Sequence, residues 1–271
     1  MEHQIIAADW WVVFLDQLKV TYPWFTDRLI FAVFTWVIYL SVFWSENIFL
    51  YLCYCFKLFP SCVIQPGLAP PEELVKKNLK ELAIAHLVTL PISCYFFYDL
   101  FVYFGTKVHA PIPSWSIIFR DLFVALAIVD AVGYWGHRIV HHKSLYKFVH
   151  KKHHEYKVSV GIASVYATPW EDIFVAMLSS LLGCLLMGSH VVVIWVWLSI
   201  RMFEAVYSHS GYHFLPYWIS QFLSSGEFHE YHHSHNIGNY GAFTIFWDWL
   251  MGTDVSFNGY MRKKLSQEKN T

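Results

Sequence analysis

The sequence predicts an all-α integral-membrane protein, with about four transmembrane helices under a cytosolic, histidine-rich helical cap. Three observations carry that expectation. The 271 residues are 56% hydrophobic and only 14% charged, whereas a soluble domain carries about 25% charged residues. Several apolar runs reach the roughly 20 residues that a bilayer-spanning helix needs. Sixteen histidines are present, and most fall in the polar stretches beside those runs.

The N-terminal segment MEHQIIAADWWVVFLDQ has no basic start and no small-residue cleavage site. It is not expected to be a cleaved signal peptide, so the membrane segments would act as their own targeting signals. The first apolar run extends from about Leu29 to Phe56. Gln65 to Lys80, with Pro66, Pro70 and Pro71, reads as a linker entering a short amphipathic helix. The second run covers Leu82 to Phe104, and Thr106 to Ser114 is a proline-containing loop. The third covers Ile117 to Trp135, with Arg120 and Asp121 interrupting its start. A fourth region, Ile173 to Tyr207, is too long for one crossing and breaks near Gly188 and Ser189, so it reads as a helical hairpin. Its second arm is rich in Val, Ile and Trp, a strand-like composition, but lipid admits only helices or closed barrels. No internal repeat is evident. Three regions follow: membrane helices and linkers over 1–120, the histidine-bearing region over 121–254, and a polar tail over 255–271.

Charge sets the orientation. The polar segments 57–80, 136–172 and 208–271 hold all but five of the 19 Lys and Arg residues, Lys269 among them. The opposite side would hold only Lys19, Arg28 and Lys107. The first set is therefore expected on the cytosolic side. A net charge of −1, with no basic block interleaved with aromatics, gives no reason to expect nucleic acid. Cys53, Cys55, Cys62, Cys94 and Cys184 are odd in number and scattered, which argues against a disulfide framework.

The histidine spacing is the informative part. His137 and His141 stand four apart in GHRIVHH, and His209 and His213 do so in SHSGYH. His150, His153 and His154 form H-x-x-H-H, and His229, His232 and His233 repeat it. On a helix, residues three or four apart share a face, so each group presents two imidazoles side by side. The adjacent histidine of H-x-x-H-H points about 100° away and can reach a second metal. These ten histidines supply about five ligands per metal, more than tetrahedral zinc usually takes. Imidazole suits iron as well as zinc, and five nitrogens with an open position suit iron that must bind oxygen. Isolated histidines are usually satisfied surface or core residues, which is the reading for His3, His86, His109 and His190. A basic His/Lys patch can also contact anionic headgroups; that accounts for Lys147, Lys151 and Lys152 but not for the repeated spacings. His142 and His235 stay open between supporting and surface roles. Asp130 lies two helical turns before His137, either orienting a ligand histidine or making a helix-to-helix polar contact. Glu204, Glu227, Glu230 and Asp248 are weaker candidates for similar roles. Tyr134, Trp135, Tyr166, Trp170, Phe203 and Tyr212 are candidates to line a lipid pocket or to anchor helices at the interface.

The ordered set H-x-x-x-H, H-x-x-H-H and H-x-x-H-H between apolar hairpins resembles the fatty acid hydroxylase/sterol desaturase superfamily. The resemblance runs from about Asp121 to Asp254, through DAVGYWGHRIVHH, KFVHKKHHEYKVSVGIASVYATPWE, HSGYHF and FHEYHHSHNIGNYG. It is closest to the sterol branch, and Tyr166 to Pro169 with the HSGY and GNY elements are most similar to C4-methylsterol oxidases. That branch has Asp or Asn where this chain has His213, and often His where it has Thr168. The resemblance implies an endoplasmic-reticulum membrane enzyme, its active site facing the cytosol, with a non-haem di-iron centre. Its substrates would be a sterol and O2, with NAD(P)H electrons arriving through cytochrome b5 and its reductase. Carried over, the ligands are His137, His141, His150, His153, His154, His209, His229, His232 and His233, with His213 added by spacing alone.

An unactivated C–H bond yields to no general base, so a redox metal must activate O2. Hydroxylation at a sterol C4 methyl, as in C4-methylsterol oxidase, is the main expectation. The rivals are a sterol side-chain (25-) hydroxylase, and a fatty acyl or alkyl lipid hydroxylase or desaturase. A metal transporter or store is the non-enzyme rival. A transporter would place its histidines at mid-membrane, whereas these lie beyond the helix ends.

Overall fold

In the computed structural model the described residues are 2–268. Lys269 lies outside them, as does the side chain of His3. Every apolar run forms a helix. The long elements are α1 (Glu2–Thr21), α2 (Asp27–Cys55), α3 (Glu72–Tyr103), α4 (Trp115–Val140), α5 (Pro169–Leu186) and α6 (Val191–Ser208). Among the described residues no strand forms, only the isolated bridges Val63–Tyr212 and Leu223–Thr244. Cys53, Cys55, Cys62, Cys94 and Cys184 are free, as their scatter implied.

The α5–α6 pair is the expected hairpin, turning at Gly188 (φ 55°). The linker and second apolar run differ from expectation. The amphipathic stretch and the span are one continuous helix, α3, because nothing between Glu72 and Leu90 breaks it; a wider π turn at Ala85–Thr89 precedes Pro91. Proline lacks the N–H of the regular ladder and crowds the carbonyl one turn back. Four helices, α2, α3, α5 and α6, are long and apolar enough to cross a membrane. The expected third span is a helix, α4, but it is not among those four.

Helix α4 packs on α5 and α6 and carries two buried carboxylates, Asp121 and Asp130. Its buried stripe runs Asp121, Ala125, Val129, Gly133 and His137, one residue per turn. It lies along α5, where Gly183 permits close approach: a Cβ there would fall 2.5 Å from the Ala125 Cα. Helices α2 to α6 alternate in direction, so their linking segments gather at two ends. At one end Ser189 Oγ donates to Asp121 Oδ2 at 2.8 Å, Val191 N–H to Lys107 O at 3.1 Å, and Trp11 Nε1–H to Val108 O at 2.9 Å. The outward faces carry exposed Leu87, Phe96, Phe119 and Phe123, a surface suited to lipid rather than water.

The other end carries the histidines. There the polar segments fold into a cap of short pieces, including α7 (Gly226–His235), α8 (Phe246–Met251) and α9 (Val255–Glu268). The segment expected as a polar tail is thus helical over 255–268, held by Lys264–Glu227 at 2.6 Å and Tyr231–Ser256 at 2.7 Å.

Candidate metal centre

Four pieces of backbone converge under the cap. The C-terminal turn of α4 delivers His137, and His141 caps that helix. A one-turn helix over Tyr146–Val149, followed by a tight turn over His153–Glu155, delivers His150, His153 and His154. His209 caps the end of α6, and α7 carries His229, His232 and His233. Their nitrogens form two groups: His137, His141, His150, His154 and His232, and then His153, His209, His229 and His233. Each H-x-x-H-H therefore divides between the groups, with His150 and His154 in one and His153 in the other. The groups adjoin, with the His154 and His233 rings stacked 4.7 Å apart. Only His141 of the nine is not fully buried.

Within each group the facing atoms are Nε2. His137–His150, His141–His232 and His154–His232 stand 3.1 Å apart, and His154–His150 3.0 Å. In the second group His209–His229 is 3.0 Å, His229–His233 3.1 Å and His153–His209 3.3 Å. The opposite nitrogen fixes what these contacts are. Nδ1 lies against Tyr240 O for His137 (3.1 Å), Tyr166 O for His153 (3.2 Å) and Ala205 O for His209 (2.8 Å). It lies against Gly238 O for His232 (2.6 Å) and Tyr156 O for His233 (3.0 Å). A carbonyl oxygen only accepts, so each of these Nδ1 atoms carries the proton and its Nε2 is a bare lone pair. Between His153 and His209 both Nε2 atoms are lone pairs, which repel, so that contact is not a hydrogen bond. A cation among the nitrogens turns such a contact attractive.

The distances and titration agree with that. For metal–nitrogen bonds of about 2.1 Å, neighbouring donors sit about 3.0 Å apart around an octahedron and about 3.4 Å apart around a tetrahedron. Burial drives the histidine pKa values down, with a neighbouring imidazole adding to it at His141 and His209: His141 and His153 to about 4, His209 to about 3. His137, His150, His229, His232 and His233 fall well below 6.5 for the same reasons. Neutral imidazole is the metal-binding form, so the donor set fits first-row metal ions.

The supports are equally specific. Glu171 Oε1 lies 2.7 Å from His150 Nδ1, both side chains buried. The sequence reading missed this residue. Its signal was the TPWE run: Thr168 Oγ1 accepts the Glu171 N–H at 3.3 Å, starting α5 with the carboxylate turned toward His150. Asp248 accepts from Tyr240 N–H (2.8 Å), Gly241 N–H (2.6 Å) and Thr253 Oγ1 (2.6 Å), fixing the loop whose carbonyls hold His137 and His232. In that loop Gly238 has φ 59° and a Cβ would strike Thr253 O, so only glycine fits. Asp130 makes neither of its two expected contacts. It accepts the N–H groups of Phe243 (3.2 Å) and Thr244 (2.8 Å) and the Thr244 hydroxyl, tying the same loop to α4. Glu230 receives Ser159 N–H at 3.2 Å, and Glu227 pairs with Lys264.

His213 joins neither group, which corrects its place in the spacing argument. Helix α6 ends at Ser208 and Gly211 turns at φ 76°, so four residues no longer mean one helical face. His213 N–H instead bonds Cys62 O at 2.8 Å. His142 and His235 also stay out; His235 stacks on Tyr231 at 4.1 Å. A cavity of about 140 Å³ reaches His137, His150, His153, His209 and His229 from between α4, α5 and α6. Its other walls are mostly small residues such as Gly133, Ser179, Ala205 and Ala242. None of the six aromatics picked from the sequence lines it; Trp135, Trp170 and Phe203 face outward.

The fatty acid hydroxylase family profile matches residues 122–253. The very-long-chain aldehyde decarbonylase GL1-11 of Oryza sativa subsp. japonica is 34% identical over 252 residues, covering 91% of this chain and 92% of its own. The chain belongs to the fatty acid hydroxylase family. Methylsterol monooxygenase 2-2 of Arabidopsis thaliana is 38% identical over 71% of this chain and 73% of its own length. Methylsterol monooxygenase 1 of Gallus gallus is 33% identical over 76% and 70%. No solved structure matches. This fatty acid hydroxylase family member is an oxidoreductase of an iron-dependent family, and a multi-pass membrane protein.

Proposed function

We propose that this protein is a non-haem di-iron sterol monooxygenase that oxidises a C4 methyl group. It would use O2 and NAD(P)H electrons delivered through cytochrome b5 and its reductase. The observation that carries the metal reading is the convergence of nine imidazoles into two adjoining groups, five of them fixed with a bare Nε2 lone pair. His137, His141, His150, His154 and His232 would hold one iron, and His153, His209, His229 and His233 the other. Iron bound there would supply the redox chemistry that an unactivated C–H bond requires. The protein's own residues do the rest. Backbone carbonyls fix the Nδ1–H tautomer of five histidines and Glu171 faces Nδ1 of His150, and the buried walls keep the imidazoles neutral. The cavity between α4, α5 and α6 lets a lipid carbon approach from the bilayer while the cap excludes bulk water.

The methylsterol monooxygenases at 33–38% identity support the sterol substrate. A second reading has its own support, since the aldehyde decarbonylase relatives cover more of the chain; it gives a long-chain aldehyde as substrate. The Lys and Arg bias supports a cytosolic histidine end, the methylsterol monooxygenase relatives support the endoplasmic-reticulum membrane, and the family match over 122–253 supports 121–254 as the catalytic region. The test is reconstitution of the iron-loaded protein with NADH, cytochrome b5 and its reductase. An oxygen-dependent 4-hydroxymethyl product from a 4-methylsterol is expected. Alkane from a fatty aldehyde, with the sterol untouched, would replace this reading with the second.

A further inference from the structure

An ion pair lines the cavity and has no part in the histidine centre. Arg201 and Glu204 sit three residues apart on α6, and both line the cavity that reaches five of the histidines. An ion pair joins Arg201 Nη1 to Glu204 Oε2, with the side chains only 13% and 14% exposed. The guanidinium lies 5.9 Å from the Phe243 ring centre. Its Nε–H is buried and has no acceptor. Charges on a membrane helix are costly and are usually kept for function. A buried ion pair is also seldom worth more to stability than packed apolar side chains of the same size. Stability alone therefore gives this pair little reason to face a cavity.

What the pair offers is a donor and an acceptor side by side. An alcohol hydroxyl uses both, since its oxygen accepts from the guanidinium and its proton is donated to the carboxylate. A carbonyl uses only the donor, and a hydrocarbon uses neither. We propose that Arg201 and Glu204 form the subsite for a hydroxyl group that the lipid substrate carries close to the carbon being oxidised. The inference rests on the sterol reading and sharpens it. A 4-methylsterol has its 3-hydroxyl on the carbon next to the one bearing the methyl. A side-chain carbon lies at the far end of the molecule from that hydroxyl. One cavity of about 140 Å³ holds the reacting carbon and its near neighbours, so its polar wall reads a group close to the reaction.

The test compares a 4-methylsterol with its 3-deoxy analogue, first in the wild-type holoenzyme. A site built to hydrogen-bond a hydroxyl rejects the analogue lacking it by orders of magnitude, so loss of the hydroxyl should lower kcat/KM at least about 100-fold. The double variant R201M/E204Q removes both charges of the pair together, so neither is left without the other. It should keep its iron content and thermal stability while the discrimination falls below about fivefold. Binding to the iron-free protein is a second readout: the hydroxylated sterol should bind at least about tenfold more tightly to wild type and not to the variant. Equal handling of the two sterols by wild type, or undiminished discrimination in a folded variant, overturns the subsite and leaves sterol oxidation standing. If no 4-methylsterol is turned over, the sterol reading fails. The subsite is then decided by the same binding comparison made with a long-chain alcohol and its alkane, and equal binding overturns it.

Discussion

Replacing Glu171 tests whether the carboxylate behind His150 tunes one metal position selectively. The contact is 2.7 Å, with side-chain exposures of 1% and 8%, so water competes little with it. Burial raises the Glu171 carboxyl well above its usual range, and a cation bound on the far side of His150 would favour its ionised form; a hydrogen bond to that charged acceptor contributes about 1.5–3 kcal/mol. If that energy holds His150 facing inward, Glu171→Ala should weaken metal binding about 10–100-fold, the usual range for such supporting partners. Glu171→Gln retains a neutral acceptor worth about 1 kcal/mol, so its loss should be smaller, about 3–30-fold. His150 belongs to one group only, so the loss should fall on one of two binding steps. Fe(II) titration of the iron-free protein against a competing chelator resolves those steps. Unchanged affinity in both variants, or equal weakening of both steps, would refute the reasoning.

Three further outcomes follow from the same geometry. His153→Ala and His232→Ala remove a ligand from different groups; each should abolish turnover and lower iron toward one ion per chain, with membrane insertion intact by protease protection. His213→Ala should keep iron content and activity within about twofold, since its half-buried ring joins neither group; loss of iron would restore it to the ligand set. The third outcome is pH dependence of the iron-free fold. With folded pKa values of about 4 for His141 and His153 against 6.5 unfolded, the unfolded chain binds more protons between those values. Stability from these groups is full above about pH 6.5 and declines as pH falls toward 4. Thermal unfolding in detergent should show Tm dropping over that window, and a flat or rising Tm would contradict it.

Much of this molecule is legible in its sequence, for reasons that also mark where reading stops. Apolar runs of membrane length announced α2, the α5–α6 hairpin and the membrane part of α3, because lipid leaves the backbone few options. The length of α3 was not visible, since a change from charged to apolar residues looks like a boundary even where the helix continues. The partners of the α4 carboxylates were hidden for a related reason: Asp121 read as an interruption and Asp130 as a histidine or helix contact, yet each is satisfied by a loop distant in sequence. Six of the histidines stood out because H-x-x-H-H is local and survives the change from helix to tight turn at His153, and His137 and His141 because they share the last turns of α4. His213 did not follow, because spacing implies a shared face only while the helix lasts. Glu171 and Asp248 act through Nδ1 and through a loop, contacts that no local spacing encodes. Arg201 and Glu204 look like an ordinary helical pair until the cavity beside them is seen.

The most direct measurement is metal content per chain in protein purified from iron-replete cells, by mass spectrometry of the digested sample. Two iron ions per chain are predicted, falling toward one in His209→Ala, whose ring serves only the second group. A single ion, zinc in place of iron, or a wild-type stoichiometry in that variant would contradict a di-iron centre held by these nine histidines.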